Sequence, residues 1–383
     1  MKKIFITIPS FNEADNISFV TKKIDKGLSR YFPEYSGFLI NADSNSSDNT
    51  IKQFKSTITK ANKISLKCPK GKIGKGYGIN IGFKYGFMRR GYYFATIDAD
   101  LKSINQNWLK KLLKPIVCDN VDFVVPLYSR NRYEGNGTNH FSSPVIYACF
   151  GYDLVQPIAG DFSLSRRLVE AVIDSFSIPD DYLYGVDSLI SLTALLKGYE
   201  IKQQRLGKKI HNPSFGKIVP IFNGEACSTF YLLNKNRKKI LDTIKKRKSV
   251  TLCPSKIADD DYTSKPNVNK INNLNNFAAS EIIKYNYKKI TGSDYNKLLK
   301  STHLAIDTRT WANILTDFLN KLLTNELKYK DILFLTQSIT PLYLLRVLTY
   351  FKEIDNKSER EADSIIKLQK KMIRYALLTK LSH

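Results

Sequence analysis

Short β-rich runs alternate with helical patterns along the first third of the chain. "KIFITIP", "SGFLINAD", "KISLKC", "YYFATIDAD" and "VDFVVPL" read as strands, and the intervening stretches 14–30, 48–59, 76–90 and 106–117 read as helices. Strand then helix, repeated, predicts an α/β fold with a mostly parallel sheet flanked by helices, whose ligands sit beyond the carboxyl ends of the strands. Past about residue 226 the pattern changes to lysine-rich amphipathic helices, broken by a polar stretch at 249–276 whose Asn-rich part, "NVNKINNLNN", reads as a loop. The expected organisation is a sheet domain over 1–225 and a mostly helical region over 226–383.

The most apolar late stretch, "DILFLTQSITPLYLLRVLTYF", carries Gln337, Pro341 and Arg346 and is expected to be a buried helix rather than a membrane span. The start, "MKKIFITIPSFNE", turns polar too soon for a signal peptide, so a cytoplasmic protein without a transmembrane segment is expected. Five cysteines without a CxxC pair fit a reducing compartment and structural roles. The net charge of +25 points to anionic partners. From Tyr231 onward 29 basic residues stand against 15 acidic ones, +14 of that total, so the excess is spread over both parts. No nucleic-acid module accompanies it, and no nucleic-acid partner is expected.

Chemistry is sought at the ends of the strands. Asp98 and Asp100, one residue apart in what reads as an extended segment, point the same way and repel unless a cation joins them; oxygen ligands of this kind suit Mg²⁺ or Mn²⁺. The bland reading is a solvated loop with a helix-capping aspartate. Asp43 ends the second strand and is placed to accept hydrogen bonds from a base or ribose, whereas Asp48 reads as a helix cap. In "KGKIGKGYG" the glycines allow close backbone approach, and Lys72 and Lys75 bring positive charge to a helix start, which suits a diphosphate; a flexible surface loop is the alternative. The spacing is neither a Walker motif nor GxGxxG. Four polar loops on one sheet edge together describe a nucleoside-diphosphate site.

The residues "IPSFNE", "ADSNSSDNT", "GKGYGINIGF" and "TIDADL" resemble the nucleotide-sugar domain of glycosyltransferases with the GT-A fold, over roughly the first 225 residues. "PLYSRNRYEGNGTNHFSSPVIYACFG", "QPIAGDFSLSRRL", "YGVDSLISL" and "LGKKIHNPSF" are similar, in that order, to the retaining glucosyl-3-phosphoglycerate, glucosylglycerate and mannosylglycerate synthases, as are the tail fragments "TWANILTDFL" and "ITPLYLLRV". The resemblance implies a DxD pair at Asp98 and Asp100 with His211 completing a metal shell. It implies nucleotide-sugar contacts from Pro9, Ser10, Asn12, Glu13, Asp43, Lys75 and Asp98, Glu13 being also a candidate helix cap. It sets Asp161 and Asp187 beside the donor sugar, where the family often has Glu, with a structural helix cap as the alternative for each.

The loop 130–139 matches the family's acceptor loop. Arg130 and Arg132 suit a carboxylate or phosphate through charge-assisted forks, with Gly137, Thr138 and Asn139 alongside; a mobile Gly-rich loop is the alternative. The implied reaction is transfer of glucose or mannose, with retention, from a UDP- or GDP-hexose to glycerate or 3-phosphoglycerate. Lys75 and the metal would stabilise the leaving nucleotide. The helical part is a plausible dimer surface. Two other readings differ in acceptor or class: a family-2-like transferase acting on a lipid phosphate or polysaccharide, and a non-catalytic basic nucleic-acid binder.

Overall fold

The computed structural model describes residues 1–211, 215–245, 266–293, 295 and 305–382. By contacts these form two compact units, Met1–Ser129 with Ile158–Ser214, and Arg130–Pro157 with Phe215–His383. Residues 130–157, which the sequence reading grouped with the sheet, cluster with the C-terminal helices.

In the first unit seven strands, β1 (Lys3–Ser10), β2 (Ser36–Asp43), β3 (Asn62–Lys67), β4 (Tyr93–Thr96), β5 (Phe123–Ser129), β6 (Phe162–Ser165) and β7 (Ile201–Lys208), form one sheet in the order β3-β2-β1-β4-β6-β5-β7. Only β6 runs antiparallel to its neighbours. The helices α1 (Ile17–Tyr31), α2 (Thr50–Ser56), α3 (Lys75–Met88), α4 (Gln106–Cys118), α6 (Arg166–Ser175) and α7 (Val186–Lys197) belong to this unit, and α5 (Ser143–Phe150) to the other. Ile4, Ile6 and Ile8 of β1 are fully buried, as a central parallel strand covered on both faces requires. Chain order reverses direction at β1, which pairs with β2 on one side and β4 on the other. That switch point opens a crevice at the carboxyl ends of the strands.

Two departures from the sequence reading have local causes. Strand β4 stops at Thr96, so Asp98 and Asp100 lie in a loop and turn, and strand alternation does not orient them. The part of "NVNKINNLNN" beyond Asn267 is helical: Asn267 accepts hydrogen bonds from Asn269 and Lys270 as an N-cap, and α10 (Val268–Ile282) buries Ala278 and Ile282. Residues 249–265 of the polar stretch lie outside the described residues.

The second unit also contains α8 (Ile218–Lys235), α9 (Arg237–Ile244), α11 (Tyr287–Thr291), α12 (Thr308–Thr324), α13 (Tyr329–Glu353) and α14 (Glu359–Lys380). Helix α13 is the one described helix long and apolar enough to cross a membrane, and 78% of its apolar window is buried within the protein. Its Arg346 is fully buried, ion-paired to Glu353 at 3.0 Å and bonded to Gln369 at 3.2 Å. Packing on other helices thus accounts for its apolar length, as expected.

Asp122 joins three strands at their far ends. It is 2% exposed and accepts hydrogen bonds from Ser165 (2.8 Å), the Glu200 amide (3.1 Å) and the Arg167 guanidinium. Burial alone would raise its pKa, but the bonds from Arg167 and Ser165 outweigh that and hold it below the ordinary range. Asp122→Ala is expected to cost about 2–3 kcal/mol in urea unfolding at neutral pH, the scale for buried hydrogen bonds to a charge. A depressed folded pKa gives stability that is present above the unfolded value and lost as pH falls through the folded one. The gap between wild type and variant should therefore close below about pH 4.

Candidate active site

The first two loops are stapled before any ligand is considered. The Asn12 side chain accepts from the Ser47 amide (2.9 Å), the Glu13 amide donates to Thr50 (2.7 Å), and the Ala14 amide donates to Asp48 (3.0 Å). Asn12 has φ 55°, a left-handed conformation that asparagine tolerates. Asp48 also accepts from the Thr50 amide (2.9 Å) at the start of α2, one residue before the N-cap Asn49. The Glu13 carbonyl accepts from the Ile17 amide (2.9 Å) and its carboxylate from Asn16 (2.9 Å), so it too serves the opening of a helix.

Asp43 is fully buried. Its oxygens accept from the Ser46 amide (2.9 Å), the Ser46 hydroxyl (2.6 Å) and the Ser10 hydroxyl (3.4 Å), closing a turn rather than facing an open cleft. Pro9 lies beneath α3, its Cβ 3.2 Å from where a Cβ on Gly78 would stand.

The glycines of "IGKGYG" serve a packing need. A Cβ on Gly76 would lie 2.1 Å from the Asp181 carbonyl oxygen, and the Gly76 amide donates to the Leu183 carbonyl (2.9 Å). The close backbone approach is therefore to the 181–183 turn. It brings Lys75, at the start of α3, against Asp187, in the first turn of α7.

From Lys75 a line of alternating charges runs inward. The Lys75 ammonium lies 3.1 Å from Asp187 Oδ2 and 2.9 Å from Asp98 Oδ1; Asp98 Oδ2 lies 3.0 Å from the Lys209 ammonium, which lies 2.8 Å from Asp161 Oδ2. Asp161 is fully buried and also accepts from the Asp98 amide (2.8 Å) and the Tyr128 hydroxyl (2.7 Å). It fixes Asp98 from behind and presents no exposed surface. Burial alone would lower the Lys75 pKa, but Asp187 and Asp98 outweigh it and hold the ammonium far above the ordinary lysine range. Asp98 is held far below the carboxylate range, because Lys75 and Lys209 overrule the effect of burial.

Asp187 differs. It is 6% exposed, and its Oδ1 is buried with no hydrogen-bond partner among the described residues. Burial pushes its pKa upward, and Lys75 offsets this only in part.

For a divalent metal, the donors expected were Asp98, Asp100 and His211. The Lys102 amide donates to the Ile210 carbonyl (2.8 Å) and the Ile210 amide to Ser103 (2.9 Å), so the segment bearing His211 runs against the loop bearing Asp100. Both oxygens of Asp98 are engaged by ammonium groups, and among the described residues no group of three or more His, Cys, Asp or Glu side chains is gathered at ligating distance. One carboxylate and one imidazole still fit Mg²⁺ or Mn²⁺, ions that take one or two protein ligands and fill the rest with phosphate oxygens and water.

The residues expected to hold the acceptor lie in the second unit. Arg130 Nε donates to Gln156 (3.3 Å). Arg132 donates to the Lys357 carbonyl and lies 3.8 Å from Glu359. Gly137 opens a π-helical turn, Thr138–Ser142, in which Thr138 is buried, and Asn139 Nδ2 donates to the Glu134 carbonyl (3.2 Å). The loop is built into its unit by these bonds.

Lys209 was not singled out from sequence. It lies just past the end of β7, where it is buried while its neighbour Lys208 is exposed, and strand alternation does not orient it.

Residues 5–170 match the family model for glycosyl transferase family 2. Glucosyl-3-phosphoglycerate synthase from Mycobacterium tuberculosis, solved with Mn²⁺, UDP and phosphoglyceric acid, is a similar structure, with TM-score 0.47 and 20% identity over 60% of this chain and 78% of that one. The same enzyme solved with Mg²⁺ and UDP gives TM-score 0.47 and 19% identity over 60% and 79%. A mycobacterial protein gives TM-score 0.48 and 24% identity over 61% and 74%. No curated protein matches the chain.

Gly160 sets how closely Asp98 packs: it has φ +90°, and a Cβ there would lie 2.3 Å from Asp98 Oδ2 and 2.8 Å from Lys75 Nζ. Gly160→Ala is expected to lose about 2–4 kcal/mol in urea unfolding, strain and overpacking together. Gly198→Ala, with φ +69° and nothing within 4 Å of its Cβ, should lose only about 1 kcal/mol.

Proposed function

We propose that this chain is a metal-dependent hexosyltransferase that moves glucose or mannose, with retention, from a UDP- or GDP-sugar to glycerate or 3-phosphoglycerate. The observation that carries the reading is the buried, unpartnered Oδ1 of Asp187 at the outer end of the charge line. A buried carboxylate oxygen left unpaired is costly, and a hydroxyl-rich ligand relieves that cost by donating to it. A sugar beside Asp187 sets its diphosphate near Lys75, at the start of α3 and at the switch point of the sheet, within the residues that match the family-2 glycosyltransferase model.

Each residue then has a task. Lys75, whose side chain is 19% exposed, has two of its three N–H donors on Asp98 and Asp187 and one remaining for a phosphate oxygen. There it stabilises the charge that grows on the leaving diphosphate. Asp98 holds Lys75 in place. Asp100 and His211 would hold the divalent ion, which when bound supplies Lewis-acid stabilisation of the same leaving group. Pro9, Ser10, Asn12, Glu13 and Asp43 shape the two stapled loops that border the nucleotide. Arg130 and Arg132 with residues 137–139 receive the anionic acceptor, an assignment drawn from the sequence resemblance. Retention requires attack from the leaving-group face, with the departing diphosphate taking the acceptor proton. We assign no protein nucleophile.

The deciding experiment is nucleotide release from UDP- and GDP-sugars with Mg²⁺ or Mn²⁺, with and without D-glycerate or 3-phosphoglycerate. Release stimulated by one glycerate is expected; release unaffected by either would redirect the reading to lipid or polysaccharide acceptors. In the same assay Asp187→Ala should lower kcat/KM by roughly 30- to 100-fold, the equivalent of a lost charge-assisted hydrogen bond. The acid limb of the wild-type pH profile should lie above the ordinary carboxylate pKa, because activity is lost as pH falls through the raised value of Asp187. Asp187→Asn should abolish that limb. With so few protein ligands, Mn²⁺ should bind at least ~10-fold tighter with UDP present than alone by calorimetry. Asp100→Ala should remove that difference.

A further inference from the structure

We infer that Lys209 is a positioning residue of this site, fixing the Asp98 carboxylate beneath Lys75; the inference rests on the glycosyltransferase reading above. Its ammonium lies within hydrogen-bond distance of three acceptors, Asp98 Oδ2 (3.0 Å), Asp161 Oδ2 (2.8 Å) and the Ala159 carbonyl (2.7 Å). Three donors are matched by three protein acceptors, and the side chain is 5% exposed. Lys209 is thus committed inward, unlike Lys75, whose side chain is 19% exposed and whose ammonium meets two carboxylates.

The surroundings show why Asp98 needs this hold. Its loop follows the end of β4, without a ladder to orient it, and Oδ2 presses on Gly160. Lys209 is supplied from just beyond β7, where its amide donates to the Ser129 carbonyl (3.4 Å) and its ammonium sits 5.1 Å from the Tyr128 ring. Without the ammonium, the carboxylates of Asp98 and Asp161 lose the cation that separates them. Asp98 is then repelled from its place, and Lys75 with it. Lys209 acts through Asp98 and Lys75 rather than on the donor itself.

Charge balance and positioning are separable. Lys209→Met alone leaves an uncompensated buried carboxylate and is expected to unfold at a lower temperature. Lys209→Met/Asp161→Asn restores the net charge of the site, so its Tm should approach that of Asp161→Asn. Asp161→Asn keeps Lys209 on Asp98, and the comparison of these two variants isolates the hold. The double variant should release nucleotide with kcat about 100-fold below Asp161→Asn, the scale of a small misplacement of a reacting group. Its KM for the glycerate should stay within about threefold of that variant's, because the acceptor residues are untouched. Equal kcat in the two variants would overturn the inference, as would failure of the double variant to fold, since Lys209 would then carry the fold rather than the site. No release by wild type from any UDP- or GDP-sugar would overturn the glycosyltransferase reading and this inference with it.

Discussion

The site depends on one electrostatic arrangement: three carboxylates and two ammonium groups alternating in a line from Asp187 to Asp161. None of its members is tolerable alone at that depth, because removing one partner of a buried pair leaves a charge without water or counter-ion. Each comes from a different part of the chain. Lys75 opens α3, Asp98 follows β4, Asp161 precedes β6, Asp187 begins α7 and Lys209 follows β7. The order of the sheet brings these ends together, and the two glycine contacts, Gly76 on the 181–183 turn and Gly160 on Asp98, set how closely they approach. The line is protein-satisfied at its inner end and open at Asp187 Oδ1 and Lys75, which gives the site a direction.

Much of this was legible in the sequence. The five strands read from apolar runs are present, as is the helix after each of the first four, because a parallel sheet covered on both faces leaves continuous hydrophobic segments. The DxD pair, Lys75, Asp161 and Asp187 were visible as polar residues in motif-bearing loops. What escaped depends on tertiary packing. The glycines around Lys75 read as a ligand-facing loop, yet their close contact is with a carbonyl about a hundred residues away in sequence. The serine partners that Asp43 takes, Ser46 in its own turn and Ser10 at the end of β1, were not read from sequence. Lys209 sits in a run of basic residues whose individual directions depend on the strand end. The Asn-rich segment hides a helix because the buried positions of that helix, Ala278 and Ile282, both lie beyond the segment's last asparagine.

The second unit shows the same logic applied to apolar helices. Arg346 is buried in α13, with Glu353, Gln369, Thr308 and the Ile306 carbonyl around its guanidinium. A helix of this length and hydropathy is kept in a protein interior by partners of that kind. The His140 ring meets the Tyr350 ring edge-on at 4.6 Å, and Trp311 donates to the His140 carbonyl at 2.8 Å, so the 130–157 segment is joined to the late helices by both packing and hydrogen bonds.

That joining bears on how the chain is made. The segment 130–157 emerges from the ribosome before β6 and β7, yet its partners Gln369, Lys370 and Arg374 follow it by 217 to 229 residues. Its apolar helix α5, with Val145, Ile146 and Phe150 buried in the finished protein, packs on α9 and on α14, both made after β6 and β7. Such long-range closure is slow, and it exposes sticky surface meanwhile. The nascent chain therefore has a built-in interval in which the sheet unit gains its last strand while a loop already synthesised remains without its partners, and in that interval a chaperone has most to protect.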